Sequence, residues 1–256
     1  MNLVSLRDVS VVYDGYEALR DVRLEIEHDD FLGVIGPNGG GKTTLIKAVL
    51  GMVPYRGEIR LADALFSGGE RLIGYMPQLS AFDRQFPISV VEVVLSGLQG
   101  RKGFFSRYAK GDRTKALRLL DEAGIGDIAA QPIGEISGGQ MQRALLCRAV
   151  IADPKLLILD EPANFVDNRF ENELYRSLRL LNERMAIVMV SHDIGTITSI
   201  VKEIVCVNRT VHRHRSNAIT AEQLTNYGCP IQLISHGHVP HTVLEHHPGD
   251  CCCDHE

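Results

Sequence analysis

Three short apolar runs punctuate the chain, and each is closed by a polar or turn-forming group. They are FLGVIG from Phe31, LLILDEP from Leu156 and MAIVMVSHD from Met185. Uninterrupted runs of this length predict strands buried on both faces of a mostly parallel sheet, not half-exposed strands. The segment after the first run, TTLIKAVLGMV, has helical spacing. In open parallel sheets ligands bind beyond the carboxyl ends of the strands. Lys42, Asp160, Glu161 and His192 all follow the ends of these runs and are expected to converge on one edge of the sheet. The opening stretch, MNLVSLRDVSVVYDGYEAL, alternates apolar and polar residues and reads as the edge of a sheet.

Between about Ser80 and Gly134 the period changes to that of helices. In GDRTKALRLLDEAG, Ala116, Leu119, Leu120 and Ala123 form one stripe, with Asp112 placed to cap and Gly124 to stop the helix. This middle part, about residues 80–140, is predicted to be a helical insertion into an α/β core. No internal repeat is present. After Tyr227 the composition turns to His, Pro, Gly and Cys with little periodicity, so the chain divides into a domain over 1–226 and a His/Cys-rich tail over 227–256.

Bulk properties narrow the function. The 256 residues are 45% hydrophobic, ample for a core, and a net charge of -5 argues against nucleic acid as a partner. The start lacks a basic segment followed by an apolar one, so no signal peptide is expected, and no apolar run reaches bilayer length. A cytoplasmic protein follows, unless a partner holds it at a membrane. Cys147, Cys206 and Cys229 are scattered singly and suit a reducing compartment.

The chemistry begins with GPNGGGKTT. Gly36, Pro37, Asn38, Gly39, Gly40, Gly41, Lys42, Thr43 and Thr44 satisfy G-x-x-x-x-G-K-[ST] between an expected strand and an expected helix. Glycines let backbone N–H groups surround an anion, and the helix N-terminus adds positive dipole. Lys42 would neutralise β- and γ-phosphates, and Thr43 offers a hydroxyl to Mg²⁺. The chain is therefore expected to bind a nucleoside triphosphate with Mg²⁺. Asp160 can complete the Mg²⁺ shell, and Glu161 can polarise a water, a role typically worth roughly 10²–10⁴ in rate. His192 can contact the γ-phosphate or orient that water.

A second anion-binding helix start lies in ISGGQMQRALLCRA, where Ser137 is a good N-cap and Gly138 and Gly139 bare the backbone before a long helix. With this motif upstream of Asp160-Glu161-Pro162, the sequence resembles the ATP-binding cassette (ABC) ATPases from about Leu3 to about Leu224. The resemblance implies a P-loop NTPase (RecA-like) α/β core, an N-terminal antiparallel β subdomain and an inserted α-helical subdomain. It implies that Tyr13, ahead of Tyr16, stacks on adenine. It also implies that Gln78 touches Mg²⁺, and that Asp167 contacts an opposing subunit. Two such chains would form a head-to-tail homodimer, with Ser137, Gly138, Gly139, Gln140 and Asp167 acting in trans on ATP held by the other chain's phosphate loop. Two departures stand out: Gly40, where the family more often has Ala or Ser, is expected to loosen the loop, and Phe165 is bulky at a usually small position.

An ABC ATPase without a membrane span borrows one, so integral-membrane permease subunits are expected partners. Docking would fall on the insertion after Gln78, with Phe104 and Phe105 as candidate contacts. The protein would then be peripheral on the inner face of the cell membrane. The carboxyl end, with VCVNRTVHRHR before it, is similar to those of ATPases from zinc and manganese uptake systems, which use an external metal-binding protein. Six of the ten histidines and three of the six cysteines follow Ser235. Thiolates and imidazoles suit Zn²⁺ better than Mg²⁺. His246, His247, Cys251, Cys252, Cys253 and His255 could bind cytosolic zinc, or form an adventitious metal-philic end. Zinc is the expected cargo, manganese next. A different cargo is an alternative; a soluble non-transport ABC ATPase is disfavoured because no long coiled coil separates the phosphate loop from the signature.

Overall fold

The computed structural model describes residues 1–78, 86–99, 108–162, 168–192, 194–217, 231–236 and 239–244. The three apolar runs form β3 (Phe31–Ile35), β8 (Leu156–Asp160) and β9 (Ala186–Val190), and every residue in all three is buried. With β7 (Ile73–Met76), β10 (Glu203–Asn208) and β11 (Thr210–His214) they make a six-stranded sheet ordered β11-β10-β3-β9-β8-β7. All pairings are parallel except that of β11 with β10.

Alternate residues of each central strand enter different cores. Phe31, Leu157, Leu159, Ile187 and Met189 join one cluster with the helices α2 (Val90–Ser96), α3 (Lys110–Glu122), α4 (Gly138–Val150) and α5 (Asn168–Asn182). Leu32, Val34, Ile158, Val188 and Val190 join a second with α1 (Lys42–Leu50) and the N-terminal strands. Because both faces are covered, the strands carry no alternation of apolar and polar residues.

The second layer is a three-stranded antiparallel sheet of β2 (Tyr16–Glu27), β1 (Asn2–Tyr13) and β4 (Arg56–Leu61), in the order β2-β1-β4. Residues 2–13 of the opening stretch are thus its central strand and not an edge, paired on both sides, which a one-face alternation cannot reveal; the residues from Tyr16 begin β2, which is an edge. A short hairpin of β5 (Phe66–Ser67) and β6 (Glu70–Arg71) follows β4. In the helical layer, Ala116 and Leu120 are buried while Leu119 and Ala123 are half-buried beside them. The N-cap of α3 is Ala109; Asp112 lies one turn in and accepts from the Ala109 backbone N–H at 2.6 Å. Gly124, at φ +69°, ends that helix. Beyond residue 230, β12 (Ile231–His236) and β13 (Val239–Leu244) pair as an antiparallel hairpin.

Strand β11 is tied to the start of the core by Arg213. Its Nη2 meets Asp30 Oδ1 at 2.8 Å, its Nε meets Glu203 Oε2 at 2.6 Å, and its Nη1 donates to Glu25 O at 2.6 Å. Burial pushes the Asp30 carboxyl up, against the Glu27 backbone hydrogen bond and the Arg213 charge that pull it down. Removing one partner of such a cluster leaves buried charge uncompensated, so Arg213→Ala is expected to lower the unfolding free energy by roughly 3 kcal/mol in urea titration.

Candidate functional site

The carboxyl ends of β3, β8, β9 and β7 open into one pocket of about 370 Å³. It is lined from the phosphate loop by Asn38, Gly39, Gly40, Gly41, Lys42, Thr43 and Thr44, and from the other strand ends by Gln78, Glu161 and His192. Tyr13, Tyr16 and Ala18 of the N-terminal sheet form the remaining wall. Sequence positions more than a hundred residues apart meet here because each strand ends on the same side of a parallel sheet.

The phosphate loop is pressed against the end of β10. A Cβ on Gly36, whose φ is +151°, would lie 2.0 Å from the Val207 carbonyl oxygen. Gly40 is similarly close: its Cβ would meet the same oxygen at 2.8 Å and Pro37 O at 3.0 Å. Gly40 therefore does not loosen the loop. It lets the loop sit directly on backbone, with the Gly40 N–H donating to Pro37 O at 3.0 Å and the Gly40 carbonyl accepting from the Arg209 N–H at 2.8 Å.

Lys42 is buried at the start of α1, and its Nζ donates to the carbonyls of Gly36 and Pro37 at 2.8 and 2.9 Å. The ammonium is thus fixed within the loop it serves. The Thr43 hydroxyl donates to Asp160 Oδ2 at 3.3 Å. Asp160 is 2% exposed, and its other oxygen, Oδ1, is buried with no hydrogen-bond partner among the described residues. Burial pushes the Asp160 carboxyl above its ordinary range and Glu161 adds to this, while Thr43, Lys42 and His192 pull it back. An orphaned carboxylate oxygen beside a hydroxyl is a donor set that fits Mg²⁺, a hard, oxygen-seeking cation.

Glu161 has a left-handed backbone, φ +56°, immediately after its strand. Such a conformation is costly for a residue with a Cβ and clusters at functional sites. The turn places its side chain, 8% exposed, against His192, whose Nε2 contacts Glu161 Oε1. Its backbone N–H donates to Val190 O at 3.1 Å, which locks the turn onto β9.

The structure brings the phosphate loop, Gln78, Asp160, Glu161, His192 and Tyr13 together, and keeps the signature apart. Ser137 caps α4 by accepting from the Gln140 N–H at 3.3 Å, and Gln140 Oε1 accepts from the Ser137 N–H at 2.9 Å. Ser137 is exposed, Gly138 and Gly139 are half-buried, and none of the four signature residues lines the pocket. Asp167, Phe165, Phe104, Phe105 and the tail ligands His246, His247, Cys251, Cys252, Cys253 and His255 lie outside the described residues. Among the described residues no cluster of three or more His, Cys, Asp or Glu could hold a metal. Cys147 is buried and its thiol is pushed up to about 12 by that burial, so it acts as a core residue.

Two features of the pocket wall involve Tyr16, and the first is the turn that carries it. Tyr13 and Tyr16 are cross-strand partners at the tip of the β1–β2 hairpin, closed by Asp14 at φ +46° and Gly15 at φ +83°. The Asp-Gly pair between alternating strands is the usual signal of such a turn. The second is the support of Tyr16: its hydroxyl donates to Gly39 O at 3.4 Å, and the Arg209 guanidinium lies 5.2 Å from its ring centroid. No local signal links residues 16 and 209.

This arrangement is that of a P-loop ATPase with a separately displayed signature helix. The ABC transporter family model matches residues 19–164. The chain belongs to the ABC transporter family and is one of its ATPases. It is similar to the zinc import ATP-binding protein ZnuC of Pseudomonas entomophila, 36% identical over 249 residues, covering 96% of this chain and 88% of that protein. It is also similar to the zinc transport system ATP-binding protein TroB of Treponema pallidum, 36% identical over 80% of this chain and 78% of that one. Among solved structures, a chain described as a metal-chelate type ABC transporter in an inward-facing conformation superposes with a TM-score of 0.80. It is 25% identical and covers 96% of this chain and 98% of its own.

The glycines separate two kinds of helix start. Gly36→Ala is expected to cost about 1–3 kcal/mol in urea unfolding from backbone strain alone, with loss of ATP binding. A methyl group on Gly138 would meet nothing within 4 Å among the described residues, so Gly138→Ala is expected to stay within about 0.5 kcal/mol of the parent in the same titration.

Proposed function

We propose that the chain is the energy-coupling ATPase of an importer for a divalent transition metal, zinc first and manganese next, working through a partner permease. The observation that carries the nucleotide half is the meeting of Lys42, Thr43, Glu161 and His192 at one pocket, with Asp160 accepting from the Thr43 hydroxyl. The cargo half is supported by the names of relatives aligned over most of the chain, which are zinc import and zinc transport ATP-binding proteins. On this reading residues 1–226 are the ATPase domain and 227–256 the tail. No helix among the described residues is long and apolar enough to cross a membrane. The membrane passage is assigned to the permease, with the chain peripheral on its cytoplasmic side. An external metal-binding protein would deliver cargo to the permease.

The residues divide the work as follows. Backbone N–H groups of Gly39, Gly41, Lys42 and Thr43 and the start of α1 receive the phosphates, and Lys42 neutralises their charge. Tyr13, at the pocket wall, receives the adenine. Thr43, Asp160 and Gln78 would hold Mg²⁺, which supplies further neutralisation of phosphate charge when bound. Glu161, turned into the pocket by its backbone, takes a proton from the attacking water as its oxygen adds to the γ-phosphorus and the bond to ADP breaks. His192 holds the Glu161 carboxylate in place.

None of the signature residues lines the pocket of its own chain. The signature's exposed, capped helix start is suited to a second copy's nucleotide, which leads to a homodimer in which Ser137, Gly138, Gly139, Gln140 and Asp167 act across the interface. ATP closes that dimer and hydrolysis reopens it. The tail histidines and cysteines would bind zinc on the cytoplasmic side.

Labelled zinc, manganese and iron uptake, compared between cells with the intact chain and with Glu161→Gln, tests the assignment. Hydrolysis should fall by roughly 10²–10⁴ with ATP still bound, and zinc uptake should be lost selectively. Unchanged uptake of all three metals would reject the cargo; normal turnover would reject Glu161 as the base. Deleting the chain after Tyr227 is expected to leave basal ATPase unchanged, and a collapse of purified-protein hydrolysis would make the tail a structural part of the ATPase domain.

A further inference from the structure

Strands β10 and β11 are joined at Arg209, a residue in the left-handed region at φ +59°. Glycine or asparagine is the economical choice there, and a long side chain stands at a backbone cost. Its surroundings suggest what offsets that cost. The Arg209 N–H donates to the Gly40 carbonyl at 2.8 Å, and its own carbonyl accepts from the Arg20 N–H of β2 at 2.7 Å. One residue therefore bridges the phosphate loop and the N-terminal sheet. Its side chain repeats the bridge, because the guanidinium covers Tyr16 at 5.2 Å, and the Tyr16 hydroxyl reaches Gly39 O at 3.4 Å. Tyr16 is a wall of the nucleotide pocket, yet both it and Arg209 fall outside the segment matched by the family model.

From this geometry we infer that Arg209 is a positioning residue for nucleotide binding. It holds the Tyr16 ring against the pocket through a cation–π contact while its backbone secures the crest of the phosphate loop. The inference rests on the nucleotide-site reading given above. Arg209 does not touch the reacting atoms, so it should act on affinity and not on the chemical step. An exposed contact of this type has a typical strength that converts to about a two- to fivefold change in binding.

The test uses the full chain with ATP and Mg²⁺, measuring binding by calorimetry, steady-state hydrolysis and thermal unfolding. Arg209→Ala is expected to weaken ATP about two- to fivefold with kcat within about twofold of the parent. Arg209→Lys, which keeps a cation near the ring, should recover part of the loss. Arg209→Gly relieves the left-handed backbone, so it should unfold at the same or a higher temperature and still bind ATP as weakly as Arg209→Ala. In a Tyr16→Ala background, Arg209→Ala should have no further effect.

Unchanged affinity in Arg209→Ala, additive losses in the double variant, no recovery in Arg209→Lys, or affinity that tracks unfolding temperature would each overturn the proposal. Lys42→Ala serves as the control. If it binds ATP normally, the nucleotide-site reading itself fails; if it loses ATP while Arg209→Ala does not, only the role of Arg209 fails.

Discussion

A parallel sheet buried on both faces has only its strand ends to offer to a ligand. In this protein β3, β8 and β9 are covered on one side by helices and on the other by α1 and the N-terminal sheet. Each of the three has a hydrogen-bonded strand on both sides. The turns leaving their carboxyl ends are where polar side chains and free N–H groups can gather without interrupting a core. Lys42, Glu161 and His192 share a pocket for that reason, although 150 residues separate Lys42 from His192.

That constraint also explains the strain stored at the site. Glu161 directly follows a buried strand in a left-handed conformation, with its carboxylate against His192. Asp160, one residue earlier, is still within the strand and almost wholly buried, so its carboxyl is pushed up and one oxygen is left without a hydrogen bond among the described residues. Neighbouring acids, both largely buried, thus receive different partners from a single turn. One is a desolvated donor suited to a cation; the other is a side chain braced at the pocket wall.

The phosphate loop shows the same economy. Its glycines serve close packing as much as flexibility: Gly36 and Gly40 let the loop rest on the Val207 carbonyl. The hairpin of β10 and β11 is consequently part of the nucleotide site's support, although it contributes none of the motif residues. Arg213 anchors the far end of that hairpin to Asp30 and the Glu25 carbonyl, and Arg209 meets the loop at the near end.

Much of this was legible in the residues. Uninterrupted apolar runs announced the buried strands because side chains on both faces must be apolar. The phosphate loop and the signature could be read because their chemistry depends on contiguous backbone groups, and the stripe of α3 because helical neighbours are three or four residues apart. Other features depend on contacts between distant segments and have no local signal. The alternation of residues 2–13 could not distinguish an edge from the central strand it forms, since backbone pairing on a second side leaves no mark on side-chain polarity. The close approach of Gly40 to the Val207 carbonyl and of Arg209 to the Tyr16 ring each join segments far apart in the chain, and neither leaves a local mark. The fold class and the chemical groups follow from the residues in order along the chain; which groups meet, which are desolvated and which are braced follow only from packing between segments that the chain order keeps far apart.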